Sequence, residues 1–412
     1  MTIVVGGQHA PSPYFDTIDD EVSVAGQTLS NLAMQIGCTP FYVYDHTVID
    51  RKIAELRSVI PRDVRIHYAI KANPMMQVVS HLRTRVDGLD IASSGELAIA
   101  LAAGGIPSAI SFAGPGKRNS ELDEAVRAGI TINVESEREL NVLAELAVAT
   151  RQRPRIGIRV NPDFELKSSG MKMGGGPKPF GIDAERVPDV LRSLRKLPLE
   201  FRGLHIFSGS QNLHAEAIVE AQNRAFEFAV SMASVTATPI RELNLGGGFG
   251  IPYFPGERAL DLAPIGANLG RLTARAKQEL PGCELILELG RFLVGESGLY
   301  VCRVIDRKIS RGQLFLIVDG GLHHHLSASG NFGQVLRKNF PVIVGNRVRG
   351  SEREIATVVG PLCTPLDILA NRMEFARAEI GDLIAVMQSG AYGLTASPIN
   401  FLHHPNAIEW FV

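Results

Sequence analysis

The sequence predicts an α/β protein built as a closed (β/α)8 barrel, followed by a β-rich domain. Three observations carry this. Eight apolar, β-branched runs fall between residues 64 and 288, and amphipathic segments alternate with them. Strand signals spaced by helices imply parallel βα units, and eight such units suffice to close a barrel. After Arg291 the rhythm changes to short strand signals separated by turns. An open doubly wound sheet is the alternative arrangement of the same units.

Taken in order, residues 1–45 read as an irregular lead-in, a helix over Gln27–Ile36 and a strand over Phe41–Tyr44. The barrel strands are expected at Val64–Ile70, Leu89–Ala92, Ile110–Phe112, Ile130–Val134, Ile156–Val160, Phe201–Phe207, Glu242–Leu245 and Glu284–Glu288. Ser93-x-x-Glu96 and Ser136-x-x-Glu139 have the form of capping boxes and start two of the intervening helices. In the second domain strands are expected at Val301–Ile305, Leu314–Val318, Val342–Val344, Ile355–Val359 and Leu383–Met387, with one helix near Leu366–Arg372. The barrel is expected to span 46–290. The β-rich domain would combine 1–45 with 291–412, with the boundary near Gly290–Gly298.

Composition bounds the function. A hydrophobic fraction of 45% over 412 residues is ample for large cores. The formal net charge of -1 provides no basic field for nucleic acid or an anionic membrane. Cys38, Cys283, Cys302 and Cys363 form no CxxC pair, which suits reduced thiols in the cytoplasm. The opening residues lack the charged and apolar regions of a signal peptide. The longest apolar stretch, Leu97–Ile106, is glycine-interrupted and too short to span a bilayer.

The chemistry-bearing residues fall at the C-terminal ends of the expected strands, where barrels keep their sites. Lys71 follows the first strand, and Asn73-Pro74 then stops it. Such an amine can lose its proton through desolvation and act as a nucleophile. Asp90 lies in the second strand. Arg159 and Asn161 end the fifth, and His205 and Ser210 the sixth. Gly246-Gly247-Gly248-Phe249-Gly250 follows the seventh, and Glu288, Gly290 and Arg291 end the eighth. The glycines let backbone N–H groups approach an anion, especially beside a helix start. They match neither a Walker motif nor GxGxxG. With Ser210 and Arg291 they describe a cradle for one phosphate. Glu288 ends a very apolar strand and needs a partner: Arg159 structurally, or a protonated ring nitrogen. A lysine, a phosphate cradle and a carboxylate on one mouth point to pyridoxal phosphate (PLP).

Other features point less sharply. Cys363 sits in Gly360-Pro361-Leu362-Cys363-Thr364-Pro365-Leu366-Asp367, either as a buried thiol or as an exposed acid or base. Three consecutive histidines, His323-His324-His325, cannot all face one ion from a strand, so no metal is expected. Tyr392 lies in a glycine loop, as a phosphate contact or a loop anchor. Met171–Pro179, rich in glycine and carrying Lys172 and Lys178, reads as a solvated loop or as a mobile one that covers the site.

From about residue 27 onward the chain resembles the fold-type III PLP-dependent decarboxylases, the group of diaminopimelate, ornithine and arginine decarboxylases. The matching motifs are Tyr68–Asn73, Leu89–Ser93, Arg159–Pro162, Gly209–Gln211, Gly246–Gly250, Glu288–Arg291, Val318–Gly321, Gly360–Cys363 and Ser389–Tyr392. The resemblance implies an alanine racemase-like barrel and a homodimer with shared active sites. Lys71 would form the internal aldimine and Glu288 would pair with the pyridine nitrogen. Ser210, Gly246, Gly247, Gly248, Gly290, Arg291 and Tyr392 would bind the phosphate. Asp90, Arg159, His205 and Phe207 would complete the cofactor's surroundings. Cys363 would reach the other subunit's site and protonate the carbanion after decarboxylation.

The departures bear on substrate. Phe207 stands where the family usually stacks a histidine on the ring. Diaminopimelate decarboxylases follow the cysteine with an acid and carry an Arg-Pro pair after the Asp-x-Gly strand. Here these regions read Thr364-Pro365 and Leu326-Ser327-Ala328-Ser329. Thr364, Asp367 and Ser327 are the substrate-side candidates, and both charged grips on the distal end of meso-diaminopimelate are missing. The stretches 161–167 and 169–176, with His205-Ile206-Phe207 and 360–367, are similar to the decarboxylases associated with exosortase A and exopolysaccharide loci. More distantly they resemble the enzyme acting on a glutamyl group carried by an acyl carrier protein. The resemblance therefore implies α-decarboxylation of a free or carrier-bound aminoacyl substrate. The alternatives are a true meso-diaminopimelate decarboxylase, an amino-acid racemase and a non-catalytic regulator.

Overall fold

The computed structural model describes all residues except 1–9, 11, 165–170, 173, 333, 335 and 336. Parts of the 161–167 and 169–176 motifs therefore lie outside the described residues. The chain divides into two compact units. One comprises Ile53–Gly250 and Leu260–Gly290; the other Met1–Lys52, Ile251–Ala259 and Arg291–Val412.

The first unit is a closed parallel barrel. Its strands are β1 (Arg65–Ala69), β2 (Gly88–Ile91), β3 (Ile110–Phe112), β4 (Thr131–Val134), β5 (Arg155–Asn161), β6 (Glu200–His205), β7 (Glu242–Gly247) and β8 (Glu284–Leu289). Each pairs in parallel with the next, and β8 pairs with β1, so the sheet has no open seam. Every residue of β2 and β4 is buried, as strands must be when helices cover one face and barrel side chains fill the other.

The interior also holds a layer of polar residues that contact one another. Ser111 donates to Asp90 Oδ1, Asn133 Nδ2 donates to Ser111 Oγ at 3.4 Å, and His67 Nδ1 stands 3.3 Å from Asp90 Oδ1. Two glycines make room for this layer. A Cβ at Gly88 would fall 2.4 Å from His67 Nε2, and one at Gly157 2.4 Å from Asn133 Oδ1. The helix starts form as their sequence dictates. Ser93 Oγ accepts from Glu96 N at 3.2 Å, and Ser136 Oγ from Glu139 N at 3.3 Å.

The second unit is built on one large sheet. Val342–Val344, Leu383–Val386, Gly298–Ser310, Gln313–Val318, Arg353–Val359 and Ile368–Ala376 neighbour one another in that order. Phe41–Tyr44 pairs antiparallel with Gly298–Val301, and Ile408–Phe411 pairs parallel with Phe41–Tyr44. The N-terminal segment thus completes the sheet. Leu29 and Leu32 of the helix Leu29–Ile36 share a core with Phe41, Val43, Leu299, Val301 and Ile343.

Two expectations fail here. The helix near Leu366–Arg372 is a strand, Ile368–Ala376, paired with Arg353–Val359. The partner of Ala356 is Met373 and that of Val358 is Ala370, so one extra residue bulges out, with Arg372 at φ +49°. The bulge breaks the two-residue alternation and leaves Leu369, Ala370 and Met373 buried at helix-like spacing. The lead-in is also less irregular than expected, since Asp16–Ile18, Glu21–Val24 and Gln27–Thr28 form a small antiparallel sheet.

Candidate active site at the mouth of the barrel

β1 ends in a single 3-10 turn, Ile70–Ala72, that carries Lys71 away from the strand axis. Tyr68 Oη donates to Asn73 O at 2.8 Å, and Asn73 N donates back to Ile70 O at 3.0 Å, which locks the turn. Lys71 Nζ lies 3.4 Å from Glu288 Oε1. Its side chain is 45% exposed, so desolvation, expected from the strand-end position, is not what shapes this amine. Phe207 faces it, with the ring centroid 5.8 Å from Nζ.

Glu288 is buried, and His205 Nε2 stands 2.9 Å from its Oε2. Burial pushes the carboxyl up, but Lys71, His205 and Arg159 outweigh burial and hold it well below the usual carboxylate range. It is a carboxylate at neutral pH. Arg159 is not its direct partner. Arg159 Nη1 donates to Glu135 Oε1 at 2.7 Å, and Phe180 lies over the guanidinium at 5.0 Å. Glu135 also accepts from Gly114 N at 2.5 Å and from Gly181 N at 3.1 Å. Behind it, Lys117 Nζ is buried and bonded to Glu139 at 3.0 Å and to the carbonyls of Gly114 and Asn133, each at 2.8 Å. Asp90 keeps one oxygen, Oδ2, without a hydrogen-bond partner among the described residues.

The glycine run after β7 lies flat against 209–212. Asn212 N donates to Gly248 O and Gly250 N to Asn212 O, both at 2.9 Å. Gly246 and Gly248 have φ of +67° and +72°, and a Cβ on Gly248 would fall 2.0 Å from Gly209 O. This brings Ser210 beside Gly248, where a Cβ would lie 3.5 Å from Ser210 Cα. Gly290 approaches the lysine turn, its Cβ position being 2.9 Å from Ala72 Cβ. The next helix begins only at Ala263, so the run gains no helix dipole at its end.

On the second unit, Arg291 Nη1 donates to Tyr253 Oη at 2.9 Å, and the guanidinium carbon lies 4.7 Å from the Tyr392 ring centroid. Its Nε has no hydrogen-bond partner among the described residues. Cys363 is exposed. Asp367 is buried, and both carboxylate oxygens are taken, by Leu322 N at 2.6 Å and Leu362 N at 2.9 Å, so it holds the loop. Ser327 Oγ donates to Tyr392 O at 2.9 Å, and Thr364 Oγ1 accepts from Leu366 N at 3.3 Å. The three histidines are buried. His324 Nε2 lies 2.9 Å from Pro405 O, and His325 Nε2 2.9 Å from Ser389 Oγ. Among the described residues no cluster of three or more His, Cys, Asp or Glu is placed to hold a metal.

The residues fit pyridoxal phosphate as a donor set: an open primary amine, a carboxylate held ionised beside it, and a bare glycine turn with a serine alongside. The pattern of the family described as "pyridoxal-dependent decarboxylase, pyridoxal binding domain" matches residues 46–295. The chain belongs to the pyridoxal-dependent decarboxylases. As a member of this family it is a PLP-dependent lyase. It is 39% identical over 377 residues to the L-glutamyl-[BtrI acyl-carrier protein] decarboxylase of Niallia circulans, covering 90% of this chain and 88% of that protein. It is 33% identical over 404 residues to the diaminopimelate decarboxylase of Aquifex aeolicus, covering 97% and 93%. The crystal structure of the Helicobacter pylori diaminopimelate decarboxylase with L-lysine superposes with a TM-score of 0.83 at 28% identity, covering 93% of this chain and 94% of that one. Among the described residues no helix is long and apolar enough to cross a membrane.

Sequence reasoning missed Glu135, Lys117 and Tyr253. Glu135 and Lys117 follow strand ends as candidates do, but charged residues after strands are common, and only burial marks them out. Tyr253 sits in Ile251-Pro252-Tyr253, which carries no motif of its own.

Proposed function

We propose that this decarboxylase removes the α-carboxyl group of an aminoacyl substrate, with Lys71 and Cys363 as its catalytic residues. The observation that carries the reading is the Lys71–Glu288 pair: an open amine 3.4 Å from a carboxylate that stays ionised in the interior. Lys71 Nζ anchors the cofactor. Glu288 holds a proton at the cofactor's ring nitrogen, and Phe207 lends the ring an apolar face. Backbone N–H groups of 246–248, with Ser210 and Gly290, take the phosphate; Arg291, next in the chain, adds its charge, and Tyr392 flanks Arg291. Asp90, Arg159 and His205 complete the surroundings. Pyridoxal phosphate, when bound, supplies an electron sink for the bond pair left at Cα. Cys363 then gives its thiol proton to Cα. Because the resemblance supplies this thiol from a second copy of the chain, the active form is a homodimer, working in the cytoplasm.

The proposed substrate is a glutamyl group borne on a carrier protein. Thr364 and Ser327 offer only neutral hydroxyls, and Asp367 has both oxygens committed to backbone. A distal amine or carboxylate would be left without a charged partner, at a large cost in selectivity. The relative named for a glutamyl carrier substrate supports the same choice. Free meso-diaminopimelate is the second reading, favoured by the similarity to diaminopimelate decarboxylases. The test is carbon dioxide release, with pyridoxal phosphate added, against a glutamyl-loaded carrier protein, meso-diaminopimelate, ornithine, lysine and arginine. Lys71→Ala is the control. Turnover of the loaded carrier alone supports the proposal. Turnover of free meso-diaminopimelate overturns the substrate assignment. Release equal in Lys71→Ala overturns the mechanism.

A further inference from the structure

His205 is the last residue of β6, and Glu288 lies near the end of β8. One strand, β7, runs between them. Residues on strands two apart stand nearly 10 Å from each other along the sheet. Yet His205 Nε2 comes within 2.9 Å of Glu288 Oε2. At the end of β7 glycines let the neighbouring backbones come close. A Cβ at Gly247 would fall 2.0 Å from Glu288 O, and one at Gly246 2.8 Å from Ile206 O. Asn244, in register with His205, commits its amide oxygen to Gly246 N at 2.8 Å. The glycine run thus lets the backbone ends of the sixth, seventh and eighth strands approach closely where His205 and Glu288 meet.

The contact divides the carboxylate. Oε2 faces His205, and Oε1 faces Lys71 at 3.4 Å. His205 is 2% exposed, and among the described residues neither of its ring nitrogens nor Glu288 Oε2 has a partner of hydrogen-bond geometry, so the 2.9 Å approach is an ion-pair contact between two otherwise unengaged atoms. The carboxylate is the charged group that meets Nε2. An Nε2–H turned onto the carboxylate oxygen 2.9 Å away would give both atoms a partner.

We infer that His205 is a positioning residue: its Nε2–H holds Glu288 Oε2, fixing the carboxylate plane so that Oε1 alone is presented toward the lysine side, to a protonated ring nitrogen. The inference rests on the functional reading above. A carboxylate with two free oxygens turns about its Cγ–Cδ bond. One held oxygen orients the other, as an outer partner orients a metal-ligating group. His205 acts through Glu288 and need not touch the cofactor.

The experiment loads apoprotein with pyridoxal phosphate labelled with 15N in the ring. It reads the ring-nitrogen chemical shift and the cofactor dissociation constant for wild type, His205→Leu, His205→Asn and His205→Gln. Wild type should show a protonated ring nitrogen. His205→Leu should move the shift toward the unprotonated value and weaken binding between about 10- and 100-fold, the range for losing an orienting partner. His205→Asn, whose amide nitrogen is too short to reach Oε2, should match Leu and stands in for it should Leu not fold. His205→Gln, whose Nε2 can take the imidazole nitrogen's place, should recover most of the loss. A protonated shift with wild-type affinity in both Leu and Asn overturns the inference and leaves the functional reading intact. Failure of wild type to take up the cofactor at Lys71 overturns that reading, and this inference with it.

Discussion

Glu135 holds Arg159 by a 2.7 Å bond from Nη1 to Oε1, and both side chains are buried. The arginine is thereby fixed by the neighbouring strand end rather than by Glu288, on which it acts only through its charge. Removing one partner of such a pair strands a charge in the interior, which costs about 3–5 kcal/mol. Glu135→Ala should therefore lower the thermal unfolding temperature of the barrel markedly, because Gly114 N and Gly181 N lose their acceptor as well. Glu135→Gln keeps an acceptor and should cost less. Calorimetry on both variants checks the order; equal stability of Ala and wild type would mean that water replaces the carboxylate.

Tyr253 and Tyr392 hold Arg291 in different ways. The first accepts a hydrogen bond and the second offers its ring face. Tyr253 is itself fixed, since its backbone N–H donates to Glu257 Oε2 at 2.9 Å and its ring packs on Phe340 at 4.5 Å. Tyr253→Phe removes only the hydroxyl. A hydrogen bond to a charged group contributes about 1.5–3 kcal/mol, so cofactor affinity should fall by about tenfold or more if Arg291 serves the phosphate. Fluorescence titration of apoprotein measures it. An unchanged dissociation constant would show that the Tyr392 stacking suffices.

How much of this was legible in the sequence follows from the range of the interactions. All eight barrel strands are local signals, and each appears close to its expected place. Lys71 and Glu288 were legible because a strand end fixes where a side chain sits, and they meet at 3.4 Å. The partner of Arg159 was not legible, because Glu135 and Glu288 are both carboxylates at strand ends and only strand adjacency decides between them. The strand Ile368–Ala376 was misread because its bulge destroys the period that identifies a strand. The strand Ile408–Phe411 follows the turn residues Pro405-Asn406 but is only four residues long; what holds it is its pairing with Phe41–Tyr44, a partner far away in sequence.

The buried histidines of the second unit make its stability depend on pH. Burial, with His324 and His404 nearby, holds His323 down to about 3; burial holds His324 to about 4 and His325 to about 3. His325 shows why. Ala328 N donates to its Nδ1 at 3.3 Å, so that nitrogen is an acceptor and taking a proton would break the bond. In the unfolded chain each ring takes a proton below about pH 6.5. The unfolded state then binds more protons, so stability falls as pH drops from about 6.5 toward 4, by up to about 1.4 kcal/mol per histidine per pH unit. Trp410, the single tryptophan, lies in this unit and reports its unfolding by fluorescence. His325→Gln should flatten the dependence by one proton. An equal slope in the variant would assign the effect to carboxylates.

Cys363 is exposed on this chain, whereas Lys71 belongs to the barrel. If the donor reaches the lysine of a second copy, then Lys71→Ala and Cys363→Ala each destroy both sites of their own homodimer. A mixed dimer of the two variants behaves differently. One of its sites carries both lesions, and the other pairs an intact lysine with an intact thiol. Random re-association yields half mixed dimers, each with one working site, so refolded mixtures should regain about a quarter of wild-type activity. Each variant alone should remain inactive under the same protocol. If instead donor and lysine come from one chain, each chain in the mixture still lacks one of them, and no activity returns at any mixing ratio. Recovery near a quarter therefore requires shared sites, and its absence, with dimers present by light scattering, assigns the thiol to the chain that carries it.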